Sequence, residues 1–290
     1  MRSVAHISDL HFGREDPVVV RGLLDAVATA APSLIAISGD LTQRARVSQF
    51  KQARKFLAAL PRVPLIVVPG NHDISATNLL LRLARPLSRY SRYISADFEP
   101  FFEDPEIAIV GVNTVRILNS KDGRINLRQI VSSCNRFHAL QSGPVRIVVM
   151  HHPIDLPAED STNALVGRAA LAVSEFAGCK VDLFLSGHLH AAQTISTSAR
   201  YNIEGYSAIV AQAGTAVSTR TRGQVNSWNL ITIDGASITV QQMVWETQTG
   251  SFIPATVEQY RKSDSGWALV PTSREPEKSV LPGAQSSPLL

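Results

Sequence analysis

Ten side chains able to hold a metal ion or move a proton fall in five short segments. They are Asp9 and His11 in HISDLHFG, Asp40 after Gly39, Asn71, His72 and Asp73 in GNHD, the neighbours His151 and His152, and His188 and His190 in GHLH. The set offers oxygen and imidazole donors and no sulfur, a chemistry suited to Mn, Fe, Zn or Co rather than copper(I) or an iron-sulfur cluster. Asp9, His11, Asp40, Asn71, His151, His188 and His190 together exceed what one tetrahedral ion takes, so two ions are the economical expectation. Asp40, with two oxygens, can bridge such a pair. Two cations roughly 3.5 to 4 Å apart acidify a shared water, hold phosphoryl oxygens and stabilise charge in an in-line displacement. A histidine suits protonation of the departing alkoxide, because its ordinary pKa lies near neutrality.

Each group follows a short apolar run that predicts a strand: SVAHIS before Asp9, SLIAIS before Asp40, PLIVVP before Asn71, VRIVVM before His151 and VDLFLS before His188. Strand alternation would set Asp9 and His11 on one side, facing one metal. Helices are expected between the strands. Asp16-Pro17 reads as a cap and first turn ahead of Val20, Leu23, Leu24 and Val27. A second helix is expected near Ser48, with Phe50, Ala53, Leu57 and Leu60 on one side, and a third from Asn126, with Leu127, Ile130, Val131, Cys134 and Phe137 sharing a face. Alternating strands and helices predict an α/β sheet, whose ligands gather beyond the carboxyl ends of the strands. Further on, SAIVAQAGTAV, SWNLITID and SITVQQMVWE read as antiparallel strands, with Asp234-Gly235 as a hairpin turn. From about Pro271 the chain is rich in Pro and Ser, so residues 1–270 read as one domain and 271–290 as a flexible tail.

Composition narrows the classes. With 290 residues, 44% hydrophobic and 18% charged, the chain is an ordinary globular one rather than a disordered one. Its net charge of +4 is spread along the sequence, so no dedicated nucleic-acid binding is expected and a small anionic substrate fits as well. No transmembrane segment is expected, since charges such as Arg21 and Asp25 interrupt every apolar stretch. Asp9 stands too near Met1 for a cleaved leader, and the chain reads as cytoplasmic. Cys134 and Cys179 lack metal-type spacing and read as packing residues in a reducing compartment, with no disulfide framework.

Other polar residues carry ordinary explanations. His6 reads as a satisfied interior histidine and His138 as lying on the polar side of its helix. Arg82, Arg85, Arg89 and Arg92 would line one face if helical, although Pro86 argues for a break. A solvated face is the expectation there, with a substrate-attracting rim or peripheral contact with anionic lipid as sharper options. Arg220 and Arg222 read as solvated loop residues, with contact to a substrate phosphate the alternative. A homodimer is compatible with the sequence.

The series DLH, GD, GNHD, a strand-terminal His and GHLH, spanning residues 9 to 190, resembles the calcineurin-like metallophosphoesterases. The resemblance implies a four-layer α/β/β/α sandwich of two mixed β-sheets flanked by helices, with two divalent or mixed-valence ions at the strand ends. It implies Asp9, His11 and His190 on the first metal, Asn71, His151 and His188 on the second, and Asp40 between them. His72 would be the catalytic histidine, Asp73 its orienting partner and His152 a supporting residue. Within the family the plan is most similar to the bacterial class III cyclic nucleotide phosphodiesterases. The implied reaction is attack on a small phosphodiester, 3′,5′-cyclic AMP among the candidates, by hydroxide formed between the metals. A UDP-2,3-diacylglucosamine-type pyrophosphatase is the first alternative, with Leu79 to Phe102 as its only obvious chain-binding cap. A non-enzymatic scaffold is the second, disfavoured by the complete set of ligands, and a DNA nuclease lacks the basic groove it would need.

Overall fold

The computed structural model describes residues 1–75, 79–117, 122–140, 143–157, 165–220 and 223–271, with the backbone alone for 79–81. Arg222 and nearly all of the expected tail lie outside the described residues.

Two sheets stack face to face. The first contains β1 (Arg2–Ile7), β2 (Leu34–Ile37) and β3 (Leu65–Val67), which run parallel, extended by β10 (Ser227–Asp234), β11 (Ser237–Glu246), β12 (Ser251–Ser263) and β13 (Gly266–Leu269). Strand β10 joins antiparallel to β1, giving the order β13-β12-β11-β10-β1-β2-β3. The second sheet has the order β4-β5-β6-β7-β9-β8, built from β4 (Phe101–Glu103), β5 (Ile107–Val112), β6 (Val145–Met150), β7 (Leu183–Ser186), β8 (Gln193–Ser196) and β9 (Ile209–Gln212). Strands β5, β6, β7 and β9 are parallel.

Alternating side chains build three apolar layers. Val4, Ala36 and Ile231 from the first sheet meet Ile109, Ile147, Leu185 and Ile209 from the second. The opposite parity of β1 and β2, including Ala5, Ile7, Ile35 and Ile37, packs against α1 (Pro17–Ala30) and α2 (Val47–Ala59) through Leu23, Val27, Phe50 and Phe56. On the far side, Val110, Val148 and Phe184 pack against α5 (Leu127–Ala139) and α6 (Ala169–Gly178) through Ile130, Phe137, Val173 and Phe176. The result is the expected helix, sheet, sheet, helix sandwich.

The capping signals hold: Asp16 accepts from Val18 N ahead of Pro17, and Asn126 forms a capping box with Gln129. In α5, however, Leu127 and Val131 are exposed while Ser133 is buried, so the inward face is narrower than the apolar spacing suggested. The Asp234-Gly235 turn closes the β10–β11 hairpin, Gly235 supplying the left-handed φ of 57°. The run SAIVAQAGTAV departs from expectation. Its strand β9 lies parallel to β7 in the other sheet, because a short apolar run states burial and not pairing direction.

The cysteines also correct the sequence reading. Cys134 of α5 and Cys179 at the end of α6 form a disulfide, their Cα atoms 5.4 Å apart. Both helices cover the same face of the second sheet, a proximity that a sequence separation of 45 conceals. The cysteines therefore lend no support to a reducing compartment.

Pro86 divides the arginine-rich stretch into α3 (Leu79–Ala84) and α4 (Ser88–Tyr93), with no single basic face: Arg82 donates to Ile117 O and Arg89 to Ala45 O. Tyr90 is fully buried and donates to Val67 O at 3.1 Å, so α4 is docked onto the core. Among the described residues no helix is long and apolar enough to cross a membrane.

Candidate metal centre

All five polar segments begin where a parallel strand ends. Strand β1 stops at Ile7, β2 at Ile37, β3 at Val67, β6 at Met150 and β7 at Ser186. Asp9 and His11 do not converge by strand alternation. Both lie past the strand with left-handed φ angles of 53° and 47°, and Asp40, His188 and His190 share that conformation at 53°, 75° and 63°. For a non-glycine residue this costs about 1 to 2 kcal/mol. Strain concentrated on metal-capable side chains marks a site whose geometry is held by its surroundings.

Glycines open the space between these loops. A Cβ on Gly70 would collide with the Asp40 carboxylate and backbone, and one on Gly187 would strike Ser8 Oγ and the Asp9 carboxylate. The glycines of GNHD and GHLH are thus close-approach positions that let the ends of β3 and β2, and of β7 and β1, pack against one another.

At the centre, Asp9 Oδ1 lies 3.5 Å from His11 Nε2 and 3.7 Å from His190 Nε2. Asp40 Oδ2 lies 3.6 Å from His11 Nε2 and 3.4 Å from His151 Nε2, reaching both halves of the group. Asn71 Oδ1 stands 3.0 Å from His151 Nε2 and 3.1 Å from His188 Nδ1. Donor atoms of Asp9, His11 and His190 fall within 4.8 Å of one another, as do those of Asp9, Asp40 and His151, and those of His151, His152 and His188. All seven ligand candidates from the sequence therefore meet in one place, with His152 beside them.

The outer atoms hold these groups still. His151 Nδ1 bonds Ser38 O at 2.8 Å, which fixes the ring with Nε2 facing inward toward Asn71 Oδ1 and Asp40 Oδ2. His190 Nδ1 meets Thr215 Oγ1 at 2.6 Å, and Asp9 Oδ2 accepts from Ser8 Oγ and His188 N. His72 N donates to Asp40 Oδ1 at 2.8 Å. His152 Nδ1 pairs with Thr114 Oγ1 at 2.8 Å. His6, three residues before Asp9, meets Ser38 Oγ and Asn229 as a satisfied interior histidine; burial pushes its pKa down to about 3, against the pull of Asp9.

Charge inside the cluster is unbalanced in favour of a cation. Burial pushes the Asp9 and Asp40 carboxyls up, but the surrounding histidines outweigh it and hold both below the usual range. Burial works against a proton on His151, yet Asp40 chiefly, with help from Asp9, pushes its pKa up to about 9. Among the described residues, Asp9 Oδ1 and both ring nitrogens of His11 are buried without a hydrogen-bond partner, the two groups facing each other at 3.5 Å. Inward-facing acceptors, orphaned atoms and a demand for positive charge together fit a site for divalent cations.

The GNHD residues behave differently from expectation. Asp73 does not touch the His72 ring: its oxygens accept from Leu41 N, Thr42 N, Thr42 Oγ1 and Gly70 N, tying the loop after β3 to the loop after β2. Burial, with Asp40 nearby, pushes its pKa up to about 6. The His72 ring is fixed by Gln43 O, 2.8 Å from Nδ1, and by Arg220 Nη1, 3.1 Å from Nε2. Burial leads the effects that lower its pKa, aided by His11 and Arg220 and opposed by Asp40. Arg220, read from sequence as a solvated loop residue, belongs to this site. Its only signal was its place shortly after the AGT segment, and a loop arginine shows no periodicity to mark it.

Two mixed sheets stacked face to face, with aspartate, asparagine and histidine gathered at the strand ends, place the chain among proteins with a candidate metal centre on an α/β/β/α sandwich. The chain belongs to the calcineurin-like phosphoesterase family, whose model matches residues 2–192. It is 36% identical over 96 residues to the glycerophosphodiester phosphodiesterase GpdQ of Enterobacter lignolyticus, a match covering 29% of this chain and 33% of that protein. It thus spans about a third of the length of that relative. A probable cyclic nucleotide phosphodiesterase of Ruthia magnifica is 26% identical over 205 residues, covering 67% of this chain and 80% of the relative. The fold is shared with a dimetal phosphatase from Danio rerio, with a TM-score of 0.61 and 13% identity over 88% of this chain and 98% of that one. It is shared also with a purple acid phosphatase from yellow lupin, with a TM-score of 0.63 and 14% identity over 88% of this chain and 53% of that one.

Proposed function

We propose that the protein hydrolyses a small phosphodiester at a dinuclear metal centre. Asp9, His11 and His190 would hold one ion, Asn71, His151 and His188 the other, and Asp40 would lie between them. Manganese, iron, zinc and cobalt all suit this donor set. When bound, the ions would activate a water nucleophile and neutralise charge on the phosphoryl oxygens. The observation that carries this reading is the convergence of Asp9, Asp40 and the imidazole nitrogens, with buried acceptors left unpaired.

The chain's own residues would do the rest. With its Nδ1 proton given to Gln43 O, His72 presents Nε2 as an acceptor toward Arg220. It therefore donates to a leaving oxygen only after gaining a proton at Nε2. The Arg220 guanidinium supplies positive charge at the same spot, where an alkoxide would develop. Asp73 would position His72 through the backbone rather than through its ring.

Similarity to phosphodiesterases of two kinds supports a diester over a monoester, with 3′,5′-cyclic AMP among the candidates. A lipid pyrophosphatase would need a chain-binding cap, whereas the stretch considered for that role has Tyr90 buried in the core. The deciding assay supplies Mn to purified protein and offers bis(p-nitrophenyl) phosphate, p-nitrophenyl phosphate, cyclic nucleotides and a nucleotide-sugar lipid. Turnover of diesters, abolished by chelation and restored by Mn, is expected. Turnover confined to the nucleotide-sugar lipid, or none with metal present, would overturn the proposal. His72→Ala is expected to keep its metals and lose turnover chiefly on poor leaving groups.

A further inference from the structure

A cavity of about 520 Å³ opens beside His72 and is lined by Gly13, Arg14, Gln43, Arg44, Arg46, Gln49, Thr219 and Arg220. Two of these residues, Gln43 and Arg220, are the ones that grip the His72 ring, so the cavity adjoins the candidate metal centre directly. Four lining residues are arginines and none is acidic. Among the described residues none of the four forms an ion pair. The nearest acid in sequence, Glu15, does not line the cavity and pairs with no arginine, but accepts from Gly13 N at its edge and from Gln52 Nε2.

The backbone holds the arginines together. Thr219 N and Ser218 Oγ both donate to Arg14 O, joining the segment before Arg220 to the one after His11. Gln49 Oε1 accepts from both Arg44 N and Arg46 N, which fixes the loop entering α2. Three loops that could have spread their charge into solvent are instead tied around one concavity. Like charges kept close without a counter-charge create a strong local potential. Guanidinium groups match the geometry of carboxylates and phosphates.

We propose that this pocket is a subsite for a second anionic group, a carboxylate or phosphate carried by the substrate on its leaving-group side. This rests on the phosphodiesterase reading and narrows it to diesters bearing an extra negative charge. 3′,5′-Cyclic AMP, with a single charge on its ring phosphate, would leave the pocket without a partner.

The test compares Mn-loaded wild-type protein with an Arg14→Ser/Arg44→Ser double variant, both substitutions being exposed and outside the metal centre. The substrates are bis(4-nitrophenyl) phosphate and its bis(3-carboxy-4-nitrophenyl) counterpart. Wild type is expected to favour the carboxylated diester in kcat/KM. The variant is expected to lose about tenfold of that preference, mainly in KM, while its rate on the plain diester stays within about twofold. Equal preference in the two proteins, or no preference in wild type, would overturn the subsite. A second measurement needs no catalysis: calorimetric titration of both loaded proteins with benzene-1,3-disulfonate. Saturable binding that weakens about tenfold in the variant supports the pocket, and absence of binding to wild type refutes it. Failure of both diesters to turn over, with disulfonate binding intact, would refute the phosphodiesterase reading and leave the anion site standing.

Discussion

Strand β7 has a buried carboxylate just before its first residue and a cluster of metal-capable groups just after its last. Asp182, at the first end, is saturated. Its Oδ1 accepts from Lys262 Nζ at 2.7 Å and Trp267 Nε1 at 2.8 Å, and its Oδ2 from Arg146 N at 2.9 Å. At the other end Asp9 Oδ1 and the His11 nitrogens have no hydrogen-bond partner among the described residues, and the loops there are strained. A buried polar group that is fully paired holds a fold together, whereas one whose partners are missing, among others that converge on it, is arranged for something else. Burial alone does not separate the two ends, since Asp182 and Asp9 are both buried.

The largest expected effect lies at the unsaturated end. Asp40→Asn should lower kcat/KM on a diester by about a thousandfold, corresponding to several kcal/mol of charge stabilisation. Steady-state kinetics alongside metal analysis checks it. Activity near wild type would erase the distinction between the ends.

Asp182→Ala should do the reverse. Leaving the Trp267 indole and the Arg146 amide without an acceptor is expected to cost about 3 kcal/mol of stability with kcat unchanged. Urea unfolding beside an activity assay measures both. A drop in kcat with no loss of stability would show that Asp182 also serves the chemistry.

The Cys134–Cys179 disulfide ties α5 to α6 on the same side of the sheet as Asp182's neighbours in β6 and β7. Cys134→Ser is expected to lower stability by about 2 kcal/mol and leave kcat unchanged. Thiol titration of the unfolded wild-type protein should find no free cysteine, since both are paired.

The smallest effect concerns His6, which is satisfied and neutral although it lies near the site. Its folded pKa of about 3 is below the ordinary 6.5, so the unfolded chain binds the proton more readily. Its contribution is complete above pH 6.5 and is lost as pH falls toward 3, by about 1.4 kcal/mol per pH unit. His6→Gln should flatten the acid limb of stability by that amount. An unchanged slope, measured by unfolding at pH 4.5 and 6.5, would show that His6 is not the group responsible.

Much of this was legible in the sequence, for identifiable reasons. Apolar runs ending in Asp, Asn and His announced both the strands and the rim, because a strand must bury its run and can carry chemistry only where it emerges. The alternation of strands and helices was enough to anticipate an α/β sheet, the family resemblance implied the layered sandwich, and the strand-end clusters named Asp9, His11, Asp40, Asn71, His151, His188 and His190 as a group. What the sequence could not express was direction and distance between remote segments. Nothing local said that β9 would lie parallel to β7, that α5 and α6 would bring two cysteines together, or that Asp73 would fasten a loop instead of the His72 ring. Nor did it say that Arg14, Arg44, Arg46 and Arg220 would share one cavity. Residue type and periodicity record what each segment needs, burial or water. Only the packed fold decides which segments meet, because pairing depends on contacts between residues far apart along the chain.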